Sequence, residues 1–245
     1  MSTSTPVTGP RSPFMTVAIA AHLIIAIALI VLAIQRASIV MPVSLTLPAR
    51  PPLVFAVVDL AAAAALIVLV SAIARSAAAV LASRGAPVAR LRAIRYLEWS
   101  QLAGITLFLV AQLNGITEVG TLVLCYAVGA ACIGVLWVQG RGSAEHRAAA
   151  WPFSLGAALA IVPWGVIALY QVGALVASSP PAPLVRVMTI VILLVSAAAW
   201  WAERRWHLSA LTDARADALH TLLSAANGLA LLVVTVGLAR PSALF

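Results

Sequence analysis

Residues 93–114 read AIRYLEWSQLAGITLFLVAQLN. From Leu102 onward the stretch is apolar almost without interruption. Its 22 residues would rise about 33 Å as a helix, enough to cross a hydrocarbon core of roughly 30 Å. Its first half differs, with Arg95, Glu98, Ser100 and Gln101 interleaved with Tyr96 and Trp99. Ionisable groups at membrane depth cost roughly 2.5–3.5 kcal/mol or more, so a span that keeps Glu98 does so for a reason.

The rest of the chain has the same character. Its 245 residues are 63% hydrophobic and 9% charged, with a mean hydropathy of +1.08, outside the range of soluble globular chains. Apolar blocks lie at about 14–35, 53–75, 93–114, 119–139, 150–177, 183–203 and 216–239. Each is long enough to span. The sequence therefore predicts one all-α membrane domain over residues 1–245, a bundle of seven transmembrane helices with no room for a separate soluble domain. The first block follows a polar stretch carrying only Arg11 and reads as a span rather than a removed leader.

All 15 basic residues are arginine; the chain has no lysine. With the N-terminus inside, Arg11, Arg75, Arg84, Arg90, Arg92, Arg95, Arg141, Arg147, Arg204, Arg205 and Arg215 fall in inner segments. Arg36, Arg50, Arg186 and Arg240 fall outside. Eleven against four predicts a cell-membrane protein with a cytoplasmic N-terminus and an extracellular C-terminus. The net charge of +8 is accounted for by this bias, so nucleic acid is not an expected partner. Cys125 and Cys132, seven apart on one span, lie about 10 Å apart along its axis, too far for a disulfide.

The first external loop is the longest. Within it Val43-Ser44-Leu45-Thr46-Leu47 alternates apolar and polar residues between Pro42 and Pro48. That is the pattern of a short strand, and both a surface hairpin and an extended proline-bounded loop satisfy it.

Few ionisable groups sit at membrane depth: His22, Asp59, Glu98 and His220. Arg75, Arg95 and Glu118 are close enough to span ends to snorkel. Glu98 follows Arg95 at i,i+3, the spacing of an ordinary helical ion pair. The polar and aromatic run Trp99-Ser100-Gln101 points instead to a functional cluster. His22 is either a helix-packing imidazole or part of a site. A haem reading would pair it with His220, since spans one and seven adjoin in a ring, but no Cys/His cluster has metal-ligand spacing and no haem-attachment motif is present. No Ser/His/Asp set or carboxylate pair suggests catalysis, so the chain reads as a non-enzyme. A transporter or channel would need a continuous polar path, and the middles of spans one, two, four and six are Ala, Leu, Ile and Val. The segment Glu203-Arg204-Arg205-Trp206-His207 through Asp217 reads as a solvated helix end anchored by Trp206, or as a docking site for a cytoplasmic partner.

Arg95-Tyr96-Leu97-Glu98-Trp99-Ser100 resembles the heliorhodopsin signature of Arg, two residues, Glu, an aromatic and Ser. His22, Ser71-Ala72, Trp151-Pro152-Phe153, Pro163-Trp164 and the Gly237 to Arg240-Pro241 ending agree with that family in order and spacing. The resemblance implies a rhodopsin-like bundle in which Glu98 is the counterion of a retinal Schiff base. It also implies a homodimer, with the first external loop as one candidate interface, and no ion pumping. Two departures follow. Counting back from Gly237 places Asn227, or Gly228 in the adjacent register, where the family carries its retinal-binding lysine, and neither can form an imine. Arg75 stands where the family typically has a histidine, and as a fixed cation it could partner Glu98 in place of the missing Schiff base. The expectation is a non-photochemical sensor or regulator without covalent cofactor. Its former retinal site would be lined by Glu98, Gln101, Trp164, Ser196 and Asn227, open to a small apolar ligand, and flanked by a polar network of His22, Ser71, Arg75 and Arg95.

Overall fold

The computed structural model describes residues 13–142 and 149–239; Arg11, Arg147 and the Arg240-Pro241 landmark lie outside them. Among the described residues are seven long helices and one hairpin. Helix α1 spans Pro13–Ile34, followed by strands β1 (Val40–Leu45) and β2 (Leu53–Asp59). Then come α2 (Leu60–Ser83), α3 (Val88–Leu113), α4 (Val119–Gly140), α5 (Ala150–Val176), α6 (Pro183–His207) and α7 (Asp213–Gly237). Six of them are long and apolar enough to cross a membrane; α3, whose first half carries Arg90, Arg92, Arg95, Glu98 and Gln101, falls outside that set.

Successive helices pack on one another, and α7 closes the ring against α1 and α2. At the α3–α4 crossing the backbones meet closely: a Cβ on Gly104 would sit 2.9 Å from the carbonyl oxygen of Tyr126, and Gly129 faces Gly104. Small residues of this kind let helices approach in lipid, where burial itself supplies no driving force between them. Helix α5 is the least covered, burying only Pro152, Gly156, Pro163 and Ile167.

The hairpin reading of the first loop is the one the fold adopts. β1 and β2 pair antiparallel from Val40 opposite Asp59 to Leu45 opposite Leu53, with an irregularity between Val43 and Ser44. β1 is tied down on its other side, where Ser44 N donates to Thr117 O at 2.8 Å and Ser44 Oγ to Thr117 Oγ1 at 2.9 Å. Met41 and Val43 are buried in the core, whereas Leu53, Val54, Phe55 and Val57 on β2 are exposed.

This hairpin shortens the second expected span at its start. Residues 53–59, apolar up to Val58 and rich in valine, belong to β2, and α2 begins at Leu60 and continues eight residues past Arg75 to Ser83. Asp59 is consequently not at membrane depth within a span. It caps α2, its carboxylate accepting from Ala62 N at 2.9 Å, the usual way to satisfy an orphan helix-start donor. Glu118 does the same for α4 through Thr121 N at 3.0 Å. The later end of α2 puts Arg75 well inside the helix, and neither arginine snorkels: Arg75 and Arg95 are each only 4% exposed.

A buried two-carboxylate network at the arginine end

The end of the bundle where α2, α4 and α6 finish and α1, α3, α5 and α7 begin collects most of the arginines; we call it the arginine end and the opposite one the hairpin end. Two buried carboxylates organise it.

Glu98 on α3 is the first. Arg75 reaches across from α2, its Nη2 2.7 Å from Glu98 Oε2, while Nη1 donates to Asp217 Oδ1 on α7 at 3.0 Å. The other carboxylate oxygen, Oε1, lies 3.1 Å from Ser224 Oγ on α7. Ser224 is also 3.2 Å from Ser71 Oγ and 3.1 Å from His22 Nε2. Four helices are thus joined through one hydroxyl.

The proton arithmetic of this cluster is restrictive. His22 Nδ1 lies 2.7 Å from the Ala18 carbonyl, which can only accept, so that nitrogen carries a hydrogen. Nε2 then either accepts from Ser224 as a neutral ring or donates to it as imidazolium. Ser224 has a single hydrogen to give. It can serve only one of three neighbours: given to Glu98, it leaves His22 and Ser71 to donate to Ser224; given to His22 or Ser71, it leaves the contact between Ser224 and Glu98 to a proton on the carboxyl itself. The arrangement can therefore pass a proton between Glu98 and His22 by turning one hydroxyl.

Glu203 on α6 is the second carboxylate, and sequence reasoning missed it by assigning it to a solvated helix end. It is fully buried. Tyr96 donates its hydroxyl to Oε1, His207 Nε2 is 3.2 Å from the same oxygen, and His220 Nε2 is 3.1 Å from Oε2. Arg95 Nη2 lies 3.6 Å from Oε2. So Arg95 serves Glu203, not Glu98, and the i,i+3 ion pair is not formed. Trp206 is likewise buried rather than anchored at an interface, its Nε1 donating to Asp213 Oδ1 at 3.0 Å with Arg92 stacked 4.7 Å from its ring. Ser224, Asp217 and Tyr96 were also unselected by sequence. For Asp217 and Ser224 the available signal was spacing, since Asp217, His220, Ser224 and Asn227 recur at helical intervals on α7.

Between and above the carboxylates lies a cavity of about 60 Å³, lined among others by Trp99, Trp164, Ser196, Trp200, His220 and Asn227. Trp164, Ser196 and Asn227 stand there as expected. Glu98 turns away to Arg75, and Gln101 turns to α4, where its Oε1 accepts from Tyr126 Oη at 2.9 Å. Asn227 donates to Thr106 Oγ1 at 2.9 Å. Gly228 faces elsewhere: a Cβ there would sit 3.0 Å from Val68 Cγ2 on α2. Of these two neighbouring positions, Asn227 is therefore the one that lines the cavity. The haem alternative pairs His22 with His220, yet both His22 nitrogens are engaged by Ala18 and Ser224, and His220 Nε2 is engaged by Glu203.

No curated protein matches the sequence. The family model described as Heliorhodopsin matches residues 12–201, from the start of α1 to near the end of α6, with α7 and its Asn227 beyond the matched part. With more than three-quarters of the chain matched and seven helices arranged as described, this multi-span membrane protein belongs to the heliorhodopsin family.

Proposed function

We propose that this chain is a non-photochemical heliorhodopsin, a membrane sensor or regulator in which a fixed guanidinium takes the part of the retinal imine. The observation that carries the reading is the 2.7 Å approach of Arg75 to Glu98. The family resemblance makes Glu98 a counterion, and here its cation is a side chain that can neither isomerise nor deprotonate. With no lysine in 245 residues, an imine has no amine to form from. What remains is a proton relay of Glu98, Ser224 and His22 with no light-driven trigger. We assign the chain no catalytic step.

The cavity agrees with this reading. At about 60 Å³ it is far smaller than the roughly 300 Å³ where drug-sized ligand pockets begin. A ligand of a few heavy atoms fits as it stands; a polyene would require Trp99, Trp164 and Trp200 to part. A transporter is less well supported, because the polar groups of Thr106 and Asn227 are separated from those of Asn114 and Thr189 by buried Leu107, Leu109, Val110 and Leu231. The arginine distribution favours a cytoplasmic arginine end. The uncovered apolar side chains of β2 favour a homodimer that uses the hairpin, since an exposed apolar edge strand invites a partner strand or surface.

The deciding experiment is the ultraviolet-visible spectrum of protein purified from cells supplied with retinal and haem precursor, recorded before and after hydroxylamine. We expect no visible band. A band bleached by hydroxylamine would overturn the proposal, and a Soret band would replace it with a haem protein. Asn227→Lys sharpens the result: if Asn227 holds the family's lysine position, this variant and not Gly228→Lys gains a hydroxylamine-sensitive band.

A further inference from the structure

Three arginines at the arginine end are committed to carboxylates: Arg75 to Glu98 and Asp217, Arg95 to Glu203, and, nearer the surface, Arg92 to Asp213. Those at the α5–α6 corner are not. Arg204 lies 5.2 Å from the ring centre of Phe153 on α5, and Arg205 lies 6.0 Å from that of Trp201. Neither takes part in an ion pair among the described residues, and Arg204 Nη1 is out of solvent with no hydrogen-bond partner. The corner is built firmly, because Phe153 also packs edge-on against Trp200 at 5.4 Å.

A guanidinium laid on an aromatic face keeps its N–H edge free, and that edge matches a phosphate better than an ammonium does. At this end both helices also carry exposed apolar side chains: Trp201 on α6, under Arg205, is 59% exposed, and Trp151 and Leu155 on α5 are 67% and 47% exposed. Cationic heads with free donors above an apolar wall are complementary to one kind of molecule, an amphiphile with an anionic head. The bilayer supplies such molecules at this depth.

We propose that Arg204 over Phe153 and Arg205 over Trp201 form a binding site for the headgroup of an anionic phospholipid, whose acyl chains lie along the exposed wall of α5 and α6. Nothing in this requires the sensor reading of the cavity. An anionic lipid here would brace the end of α6 that carries Glu203, one turn before His207.

The test uses the purified full-length protein in detergent, given equal amounts of phosphatidylglycerol and phosphatidylcholine with matched chains, with retained lipid read by native mass spectrometry. We expect preferential retention of phosphatidylglycerol, falling by about fivefold for each arginine removed in R204Q/R205Q, on the basis of about 1 kcal/mol per basic residue near an anionic surface. R84Q/R90Q, which removes two exposed arginines elsewhere on the same end, should keep the preference of the parent. Equal retention of the two lipids by the parent overturns the proposal, as does an unchanged preference in R204Q/R205Q. Should the double variant fail to fold, R205Q alone alters only an exposed side chain, and an unchanged preference there is equally fatal. Displacement of the lipid by soluble glycerol phosphate at equal concentration would mark a free-anion site and also overturn it.

Discussion

At the arginine end, buried polarity is ionic: Glu98 and Glu203 are held by Arg75, Arg95 and the imidazoles of His207 and His220, with Asp213 and Asp217 closing the network toward the surface. At the hairpin end it is neutral. Asn114 donates to Thr189 at 2.9 Å and accepts from Gln171 at 2.7 Å, and Gln112 reaches the Pro42 carbonyl at 3.3 Å. Among the described residues, every fully buried arginine and carboxylate lies on the arginine side of Thr106 and Asn227. Among the described residues the buried carboxylates and imidazoles, which can change charge, lie at the arginine end; the hairpin-end carboxylates, Asp59 and Glu118, are half-buried helix caps. The other end is a clamp, in which amides and hydroxyls tie α3, α5 and α6 together beneath the hairpin. The difference also sets energetic stakes. Removing one partner of a buried ion pair leaves an uncompensated charge in low dielectric, at about 3–5 kcal/mol, whereas a hydrogen bond between membrane helices is worth about 0.6 kcal/mol on average.

The largest effect should come from Glu203, which answers to four side chains. Glu203→Ala strands Arg95 without its anion and removes the acceptor of Tyr96 and His220. A loss of about 3–5 kcal/mol in denaturant unfolding of the purified protein is expected. Glu203→Gln, which keeps acceptor and shape but not charge, should lose clearly less. If Glu203→Ala unfolds with the parent, the ionic end is not the costly one and the contrast collapses.

Next comes the pair of Arg75 and Glu98, where a double-mutant cycle separates the pair from its desolvation. Arg75→Met should cost about 3 kcal/mol, and Arg75→Met with Glu98→Leu should recover most of that, because a matched apolar pair no longer buries a lone charge. The single variant should also gain a protonated-carboxyl band in infrared difference spectra, lost again in the double. No band and additive costs would mean that Arg75 is not the cation that Glu98 depends on.

The parts of this contrast that the sequence revealed were those governed by length and alternation. Seven apolar blocks set the helices, and alternation at 43–47 marked β1. It did not mark β2, whose residues 53–58 are continuous in apolar side chains and merged with the span behind them. Facing was harder. Residues three apart differ by about 60° around a helix, enough for Arg95 to turn to α6 while Glu98 turns to α2. Their proximity in sequence suggested a pair that two other helices pulled apart. Glu203 was hidden for a related reason: Arg204 and Arg205 stand beside it in sequence and read as a solvated end, whereas the packing of α3 and α7 against α6 buries Glu203 together with His207. Arg75, by contrast, could be matched to Glu98 once the family's signature assigned Glu98 a cationic partner.

The smallest effect belongs to the clamp. Gln171→Leu removes the donor that Asn114 Oδ1 receives from α5, while Asn114 keeps Val110 O and Thr189 as acceptors for its own amide. A cost near 0.6 kcal/mol, and below about 1.7, is expected from unfolding in the same detergent. The proton relay should not notice it: the infrared carboxyl region of Gln171→Leu should match the parent, since Glu98 and Ser224 lie beyond the apolar layer of Leu107, Val110 and Leu231. A change in that region would mean that the two ends communicate across the layer. The clamp would then be part of the switch, and α5, which is otherwise the least covered helix, would be the element that carries the coupling.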